Sequence, residues 1–255
     1  DPLRPKEGLA RAAPPGGDGG QHPNWPARFP PTSATRPRAS RWCHGRMRER
    51  VTVYFDYVCP YSWRAAELFD MIAGPLVLDV RWEHFSLFQN EHHQSATKQN
   101  AWQLWNERID ETDGYGCKGL LPFLASLAAR KQGPEAHAAF RLALQRANHR
   151  AFRPFTTGTV TAVAEAVGLD VPRFQHELHN PEARTVLAQE HMRALARDVF
   201  GTPTVVFPDG QAAYLRLQEL PADAEEAIAL FQDVRRLLER YPYLQTVRRP
   251  RAKGN

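Results

Sequence analysis

The segment from Val51 to Trp63 constrains the fold of this chain more than any other part of the sequence. Val51 to Phe55 is a run of β-branched and aromatic residues, which predicts a buried β-strand. Cys59 follows shortly afterwards, and Pro60 is then typical of a first helical residue, where its missing N–H costs nothing. Apolar residues at helical spacing continue from Ala65 to Ile72. The sequence therefore predicts a strand, a cysteine and a helix in immediate succession.

The remaining elements are predicted from periodicity and from turn residues. Leu76 to Phe85 predicts a second strand, and residues 95–200 have helical periodicity with proline and asparagine at helix starts. Thr204 to Phe207 and Ala212 to Leu217 flank a Pro-Asp-Gly turn, which predicts a β-hairpin. A final helix is expected over Ala222 to Arg240. We therefore predict an α/β fold in which a four-stranded mixed sheet is interrupted by a large all-helical insertion.

The composition divides the chain into unequal parts. Residues 1–46 contain nine Pro and six Gly without apolar periodicity, so we expect a disordered leader. Met47 directly precedes the first strand and is expected to be the natural start, the alternative being a genuine flexible basic tail. Residues 47–94 and 201–242 are expected to form the two parts of one domain around the helical insertion, and residues 243–255 a basic tail.

The distribution of charge argues against a nucleic-acid partner. The chain has 33 Lys/Arg and 28 Asp/Glu, a formal net charge of +5, but residues 1–46 alone carry +5 and residues 248–255 carry +4. Residues 47–247 carry −4, which removes the basic character that nucleic-acid binding requires. No apolar run approaches the roughly 20 residues of a membrane helix. Three scattered cysteines fit a reducing compartment, so we expect a cytoplasmic protein with no membrane partner.

Cys59 is the candidate nucleophile. At the amino-terminal end of a helix, unpaired N–H groups and the helix dipole favour thiolate over thiol, and the thiolate is the reactive form. A lone cysteine is otherwise more often a small buried apolar residue. The catalytic interpretation is favoured by Gly201-Thr202-Pro203-Thr204, whose proline follows Cys59 by 144 residues at the entrance to the third strand. A cis Thr202-Pro203 bond there would leave backbone groups free to pair with an extended ligand.

Taken together, these features resemble the DsbA-like branch of the thioredoxin superfamily, especially its FrnE-like cytoplasmic members, kappa-class glutathione transferases and hydroxychromene-carboxylate isomerases. The resemblance covers residues 50–242 and rests on Phe55-Asp56, Cys59 to Ser62, Gly168-Leu169-Asp170 followed by Phe174, and Gly201 to Thr204. It implies a thioredoxin-like sheet with a helical insertion. It also implies that Cys59 is the nucleophile and that Pro203 is a cis-proline facing it.

The chain departs from this family pattern at Ser62, which stands where the dithiol oxidoreductases have a second, resolving cysteine. Cys59 in turn stands where the kappa-like enzymes have a serine. The site is thus a monothiol Cys-Pro-Tyr-Ser, which can form a mixed disulfide but needs an outside thiol to complete a cycle. Glutathione or another low-molecular-weight thiol is the expected co-substrate, with Cys117 a more distant candidate. No tightly bound cofactor is expected.

Residues around the cysteine are expected to support it. The Ser62 hydroxyl is expected to donate to the thiolate, with the N–H groups of Tyr61 and Ser62 adding to the helix-end field; the alternative is an ordinary first-turn serine. Asp56 is expected to anchor the loop by accepting backbone N–H bonds, or else to be a simple turn-forming residue. The expected substrate-binding residues are Pro60, Tyr61, Trp63, Thr202 and Pro203.

A histidine pair and a set of aromatic residues contribute less to the functional interpretation. His92-His93 lacks additional ligands at fixed spacing, so a solvated loop is expected there and no metal site. No dinucleotide-binding glycine pattern, phosphate loop or serine-hydrolase elbow is present in the sequence. Four aromatic residues either wall an apolar pocket between the sheet and the insertion or belong to the core: Tyr61, Trp63, Trp102 and Trp105.

The sequence is compatible with three functions. The first is a DsbA-family thiol-disulfide oxidoreductase in which Cys59 attacks a disulfide-containing protein or small molecule. The second is a kappa-like transferase or isomerase that binds glutathione and activates its sulfur without a covalent step. The third is a non-catalytic module that holds extended peptides in the same groove.

Overall fold

The computed structural model describes residues 48–94, 102–110 and 118–247. The predicted leader, most of the predicted basic tail and the cysteines other than Cys59 lie outside these residues. The elements below therefore refer to the described part of the chain.

The sheet has four strands: β1 (Glu49–Phe55), β2 (Leu78–His84), β3 (Thr204–Val206) and β4 (Ala212–Tyr214). Their order across the sheet is β2-β1-β3-β4. β1 is parallel to β2 and antiparallel to β3, and β3 is antiparallel to β4. The parallel pair requires a crossover, which the first helix supplies. The predicted mixed four-stranded sheet with a helical insertion is confirmed.

Eight α-helices and one short 3-10 helix complete the described residues. The α-helices are α1 (Pro60–Ile72), α2 (Leu87–Gln94), α3 (Leu120–Arg130), α4 (Pro134–His149), α5 (Thr157–Ala166), α6 (Val171–Leu178), α7 (Pro181–Leu195) and α8 (Ala224–Arg240). The 3-10 helix is Leu104–Asn106. Among the described residues, no helix is both long and apolar enough to cross a membrane.

Several helices begin where a polar side chain can satisfy a free backbone N–H. The Asp170 carboxylate accepts the N–H of Arg173 at 3.0 Å, and the Asn180 side chain accepts the N–H of Glu182 at 2.9 Å. The Asp223 carboxylate does the same for Glu226 at 2.9 Å, so α8 begins at Ala224. Each such cap contributes about 1 kcal/mol to helix stability.

β1 is buried on both faces of the sheet. Val51, Val53 and Phe55 enter the main core, where helices α1 and α8 meet through Phe69 and Phe231 with ring centroids 5.7 Å apart. On the opposite face a smaller cluster contains Tyr54, Phe85, Ala194, Val199 and Val206. Full burial of such a side chain contributes about 1.5–3 kcal/mol, so the site beyond β1 rests on a rigid base.

Three sequence predictions differ from the structure. The second strand begins at Leu78 and not at Leu76, because Val77 has a φ of 55° and ends the turn that leaves α1. The β4 strand ends at Tyr214 because its partner β3 has only three residues. Helix α2 was not predicted, and it places the His92-His93 pair on a helix and not in a loop.

Candidate active site

Cys59 is the residue immediately before α1. It has an extended backbone (φ −90°, ψ 116°), and Pro60 is the first residue of the helix. The Cys59 carbonyl accepts the N–H groups of Ser62 at 3.0 Å and Trp63 at 3.3 Å. The Ser62 N–H therefore has a partner in the first turn of the helix, and its contribution to the field at the sulfur stays a prediction. The cysteine itself lies at the helix end that the sequence indicated.

The sheet register brings the second predicted motif to the same end of β1. Tyr54 of β1 pairs with Thr204 of β3, so the residues that precede β3 lie beside the Cys59 loop. The Thr202-Pro203 peptide bond is cis. The Cys59 thiol donates a hydrogen bond to the Thr202 carbonyl oxygen, with 3.4 Å between sulfur and oxygen. Two segments separated by more than 140 residues thus meet at the sulfur.

The loop before Pro203 is packed against β4. The Thr204 hydroxyl donates to the Gly201 carbonyl at 2.8 Å. A Cβ atom at Gly201 would lie 3.0 Å from the Tyr214 ring, so any larger residue at Gly201 would push this ring away. The Leu215 N–H donates to the Pro203 carbonyl at 3.1 Å. These contacts hold the carbonyl of Thr202 against the sulfur.

Access to the sulfur is narrow. Cys59 is 5% exposed, and both Thr202 and Pro203 are buried. Pro60 is exposed, while Tyr61 and Trp63 are half-buried beside it. Among these residues, the ones that present surface to solvent are Pro60, Tyr61 and Trp63.

Asp56 fixes the loop between β1 and Cys59. Its carboxylate accepts the N–H of Val58 at 3.1 Å and the N–H of Leu87, at the start of α2, at 2.8 Å. The side chain is fully buried, and this burial outweighs the two hydrogen bonds and raises the pKa of Asp56 to about 7. The structure thus places Asp56 as a link between the cysteine loop and α2.

Ser62 lies beneath the same loop. Its side chain is buried, and its hydroxyl oxygen accepts the N–H of Asp56 at 3.2 Å. This bond leaves the hydroxyl proton available to another acceptor. Donation from Ser62 to a thiolate at Cys59 stays a prediction.

The four predicted aromatic residues do not form one wall. The Trp63 ring stacks on His149 with centroids 6.0 Å apart, and its Nε1 donates to Glu67 at 2.9 Å. Tyr61 lies under the guanidinium of Arg216. Trp102 contacts His92 with centroids 5.1 Å apart, whereas the largely buried Trp105 is 5.7 Å from His191. Tyr61 and Trp63 therefore belong to the cysteine site, and Trp102 and Trp105 pack around α2 and α7.

The family is shown by comparison with known domains. A model of the DSBA-like thioredoxin domain matches residues 50–229, well over half of the chain. This protein belongs to that family. Members of the DSBA family are oxidoreductases or isomerases, and the family contains thiol-disulfide oxidoreductases.

Individual relatives of this DSBA-like protein are distant. The ClpXP adapter protein SpxH of Halalkalibacterium halodurans is 23% identical over 180 residues, which cover 62% of this chain and 58% of SpxH. The chain therefore spans less than two thirds of that relative. A 2-hydroxychromene-2-carboxylate isomerase superposes with a TM-score of 0.51 at 19% identity, covering 77% of this chain and all of the isomerase. MdbA, a thiol-disulfide oxidoreductase from Actinomyces oris, gives a TM-score of 0.51 at 16% identity, covering 72% and 79%.

This DSBA-like protein also contains a buried polar network that the sequence did not reveal. His84 Nδ1 lies 2.7 Å from Glu190 Oε2, and His84 Nε2 lies 2.9 Å from the Ser126 hydroxyl. Burial lowers the pKa of His84, so the ring is neutral and donates from Nδ1 to Glu190 while accepting from Ser126. Burial opposes ionisation of Glu190, but its contacts with His84 and Arg130 prevail and lower its pKa.

No signal in the sequence could have identified this network, because Glu190 follows His84 by 106 residues and neither residue belongs to a recognisable motif. Among the described residues, no group of three or more His, Cys, Asp or Glu side chains is arranged to hold a metal ion.

Proposed function

We propose that this protein catalyses thiol-disulfide exchange with Cys59 as its single nucleophilic thiol. The observation that supports the proposal is the position of the sulfur, at the amino-terminal end of α1 and 3.4 Å from the carbonyl that precedes cis-Pro203. The positive end of the helix dipole stabilises a thiolate there. When the thiol loses its proton, the Thr202 carbonyl loses its donor and becomes free to accept an N–H from a substrate.

The exchange proceeds in two displacements. The Cys59 thiolate attacks one sulfur of a substrate disulfide, forms a Cys59 mixed disulfide and releases the other sulfur as a thiolate, which takes a proton from water. A second, external thiolate then attacks the mixed disulfide at the substrate's sulfur. This step restores the Cys59 thiolate and gives a new disulfide, so the external thiol is oxidised and the substrate disulfide is reduced.

The second displacement needs an external thiol because Ser62 stands where a resolving cysteine would be. Its oxygen accepts the Asp56 N–H and supports the loop, and a hydroxyl cannot form a disulfide. A low-molecular-weight thiol of the glutathione type fits this requirement, and a reducing compartment such as the cytoplasm supplies one.

The decisive experiment is the comparison of the wild-type protein with Cys59→Ser. After incubation with glutathione disulfide, mass spectrometry should show one glutathione attached to the wild-type protein, released by a reducing agent, and none attached to the variant. Exchange with small disulfides should fall to the uncatalysed rate in the variant.

Two other outcomes would replace the proposal. A glutathione-dependent transferase or isomerase without a covalent step would retain much of its activity in Cys59→Ser, because a hydroxyl can also donate to a bound glutathione sulfur. A non-catalytic binding module would form no mixed disulfide even as the wild-type protein.

A further inference from the structure

Two arginine residues flank Tyr61 in the cysteine motif. The guanidinium carbon of Arg216 lies 3.8 Å from the centroid of the Tyr61 ring, and that of Arg64 lies 5.6 Å from the same centroid. Arg64 belongs to the beginning of α1, whereas Arg216 follows β4. The fold therefore brings two positive charges from distant parts of the chain to one ring.

Backbone contacts place this pair beside the reactive sulfur. Leu215, the neighbour of Arg216, donates its N–H to the carbonyl of cis-Pro203 at 3.1 Å. On the other side of Arg216, the Leu217 carbonyl accepts a hydrogen bond from Arg64 Nη1 at 3.4 Å. Arg216 is thus held between the cis-proline loop and the beginning of α1, which are the two segments that meet at Cys59.

The charges of this pair are not neutralised within the described residues. None of the ion pairs in the described ranges includes Arg64 or Arg216. Within the next two turns of α1 the situation is different, because Arg146 pairs with both Glu67 and Asp70. Residues 47–247 as a whole carry −4, so the two positive charges around Tyr61 are opposite in sign to the net charge of this part of the chain.

Resting on the function proposed above, we propose that Arg64 and Arg216 bind a carboxylate of the substrate, and that the preferred substrates are small anionic thiols and disulfides. A guanidinium donates two parallel hydrogen bonds to a carboxylate, which fixes the position of the bound molecule as well as its charge. Residue Cys59 is only 5% exposed, so the reacting disulfide must be slender. A carboxylated molecule of glutathione size combines both properties.

The test compares three small disulfides that differ in charge: glutathione disulfide, which is anionic, 2-hydroxyethyl disulfide, which is neutral, and cystamine, which is cationic. The rate constants for exchange are measured for the wild-type protein and for the variant Arg64→Gln/Arg216→Gln. Each rate is expressed relative to that of a free small thiol with the same disulfide. Because all three probes react with the same sulfur, any change in the thiolate fraction of Cys59 cancels in the ratio of two probes.

We expect the anionic-to-neutral rate ratio to fall about tenfold for each arginine removed, the effect of losing a hydrogen bond between charged groups. The cationic-to-neutral ratio should rise in the same variant. The wild-type preference should also weaken at high salt, because salt screens the attraction. Arg236→Gln on α8 removes one positive charge at an exposed ion pair with Asp233, the same change as each single arginine substitution, and it should leave both ratios at their wild-type values.

The two proposals fail in different ways. If the wild-type protein exchanges with none of the three disulfides, the proposed function is wrong. If it exchanges with them through Cys59 but the double variant keeps the wild-type ratios, the carboxylate site alone is wrong. The carboxylate site is also wrong if all three rates fall by one common factor, since the arginines would then support the fold. Arg64→Lys/Arg216→Lys keeps both charges but cannot donate two parallel hydrogen bonds from one side chain. Compared with the double Gln variant, it should recover part of the preference for the anionic disulfide.

Discussion

The Cys59 site and the His84 network are both buried and polar, yet they satisfy their polar atoms very differently. The Cys59 sulfur makes one hydrogen bond, 3.4 Å to the Thr202 carbonyl, and this bond is weak because a thiol is a weak donor. Both ring nitrogens of His84 have partners at 2.7 and 2.9 Å, and Glu190 also accepts the backbone N–H of His84 at 2.9 Å. The Cys59 sulfur is therefore held by a single weak hydrogen bond, whereas the polar atoms of the His84 network are fixed by several short ones.

The comparison shows why geometry alone does not indicate catalysis. Ser126, His84 and Glu190 have the hydrogen-bond order of a serine-hydrolase triad, but Ser126 and His84 are completely buried and Glu190 is 1% exposed. The Ser126 hydroxyl is also bonded to His137 at 2.9 Å. No substrate can reach this serine. The hydrogen bonds of the His84 network instead join β2 to α3, α4 and α7. The Cys59 sulfur has a single hydrogen bond, and its residue retains 5% exposure next to the exposed Pro60.

The largest expected effect comes from breaking the network at Glu190. Glu190→Ala leaves two buried donors of His84, its Nδ1 and its backbone N–H, as well as the part-exposed Arg130 without their shared acceptor; each buried donor left unpaired costs about 1–3 kcal/mol, or about 2–6 kcal/mol together. The free energy of unfolding, measured in urea, should fall by this amount. Exchange per folded molecule should stay near the wild-type rate.

Glu182→Ala is the matched control for this experiment. It removes the same side chain from the same helix, but Glu182 is exposed and pairs with the exposed Lys131. Its effect on unfolding should be far smaller. Equal losses in the two variants would show that the buried network is no stronger than a surface pair.

A smaller effect is expected for Ser126→Ala. The change leaves His84 Nε2 and His137 Nε2 unpaired in a buried environment, which costs about 1–3 kcal/mol in the free energy of unfolding. Thiol-disulfide exchange should continue. A Ser126→Ala protein that is fully stable but has lost its activity would show that Ser126 belongs to a reactive site. The assignment of the His84 network as purely structural would then be wrong.

Asp56 belongs to the Cys59 site and links its loop to the beginning of α2, where its Oδ2 accepts the N–H of Leu87. The pKa of Asp56 is raised from 3.8 to about 7, so the folded protein binds this proton more tightly than the unfolded chain. The resulting stability is fully present below pH 4 and is lost as the pH rises from about 4 to 7. The difference in unfolding free energy between wild-type protein and Asp56→Asn should therefore fall with pH by up to about 1.4 kcal/mol per pH unit.

The difference in unfolding free energy between wild-type protein and Asp56→Asn must be used, because buried histidines change the stability with pH in the opposite direction. Burial lowers the pKa of His191 to about 4, so its contribution to stability is lost as the pH falls from about 6.5 to 4. This contribution is common to both proteins and cancels. A difference that stays constant from pH 4 to 7 would show that folding does not raise the pKa of Asp56.

The cysteine site was largely predictable because its signals are local. The strand from Val51 to Phe55, the proline after Cys59 and the Thr202-Pro203 pair each affect the backbone within a few residues. Helix α2 escaped prediction because its buried residues include Gln89 and Asn90, which interrupt the apolar stripe that identifies a helix. The Gln89 side chain accepts the Leu104 N–H at 2.7 Å, a contact that helical periodicity does not reveal.

The same reasoning explains why the arginine pair and the His84 network were missed. Arg64 reaches the carbonyl of a residue 153 positions later, and His84 reaches Glu190 across 106 positions. Such pairs depend on how the strands are ordered in the sheet. The order of the strands leaves no periodic pattern in the sequence. These contacts therefore become visible only when the fold is known.

The smallest expected change in stability is that of Cys59→Ser, the variant with the largest expected loss of activity. The sulfur contributes one weak hydrogen bond, and a serine hydroxyl can donate to the same Thr202 carbonyl. The free energy of unfolding should change by less than about 1 kcal/mol, well below the loss in Ser126→Ala. Equal destabilisation by the two substitutions would mean that the sulfur is held as firmly as Ser126. Cys59 would then be a structural residue, and the contrast between a lightly held nucleophile and a fixed network would no longer distinguish the two sites.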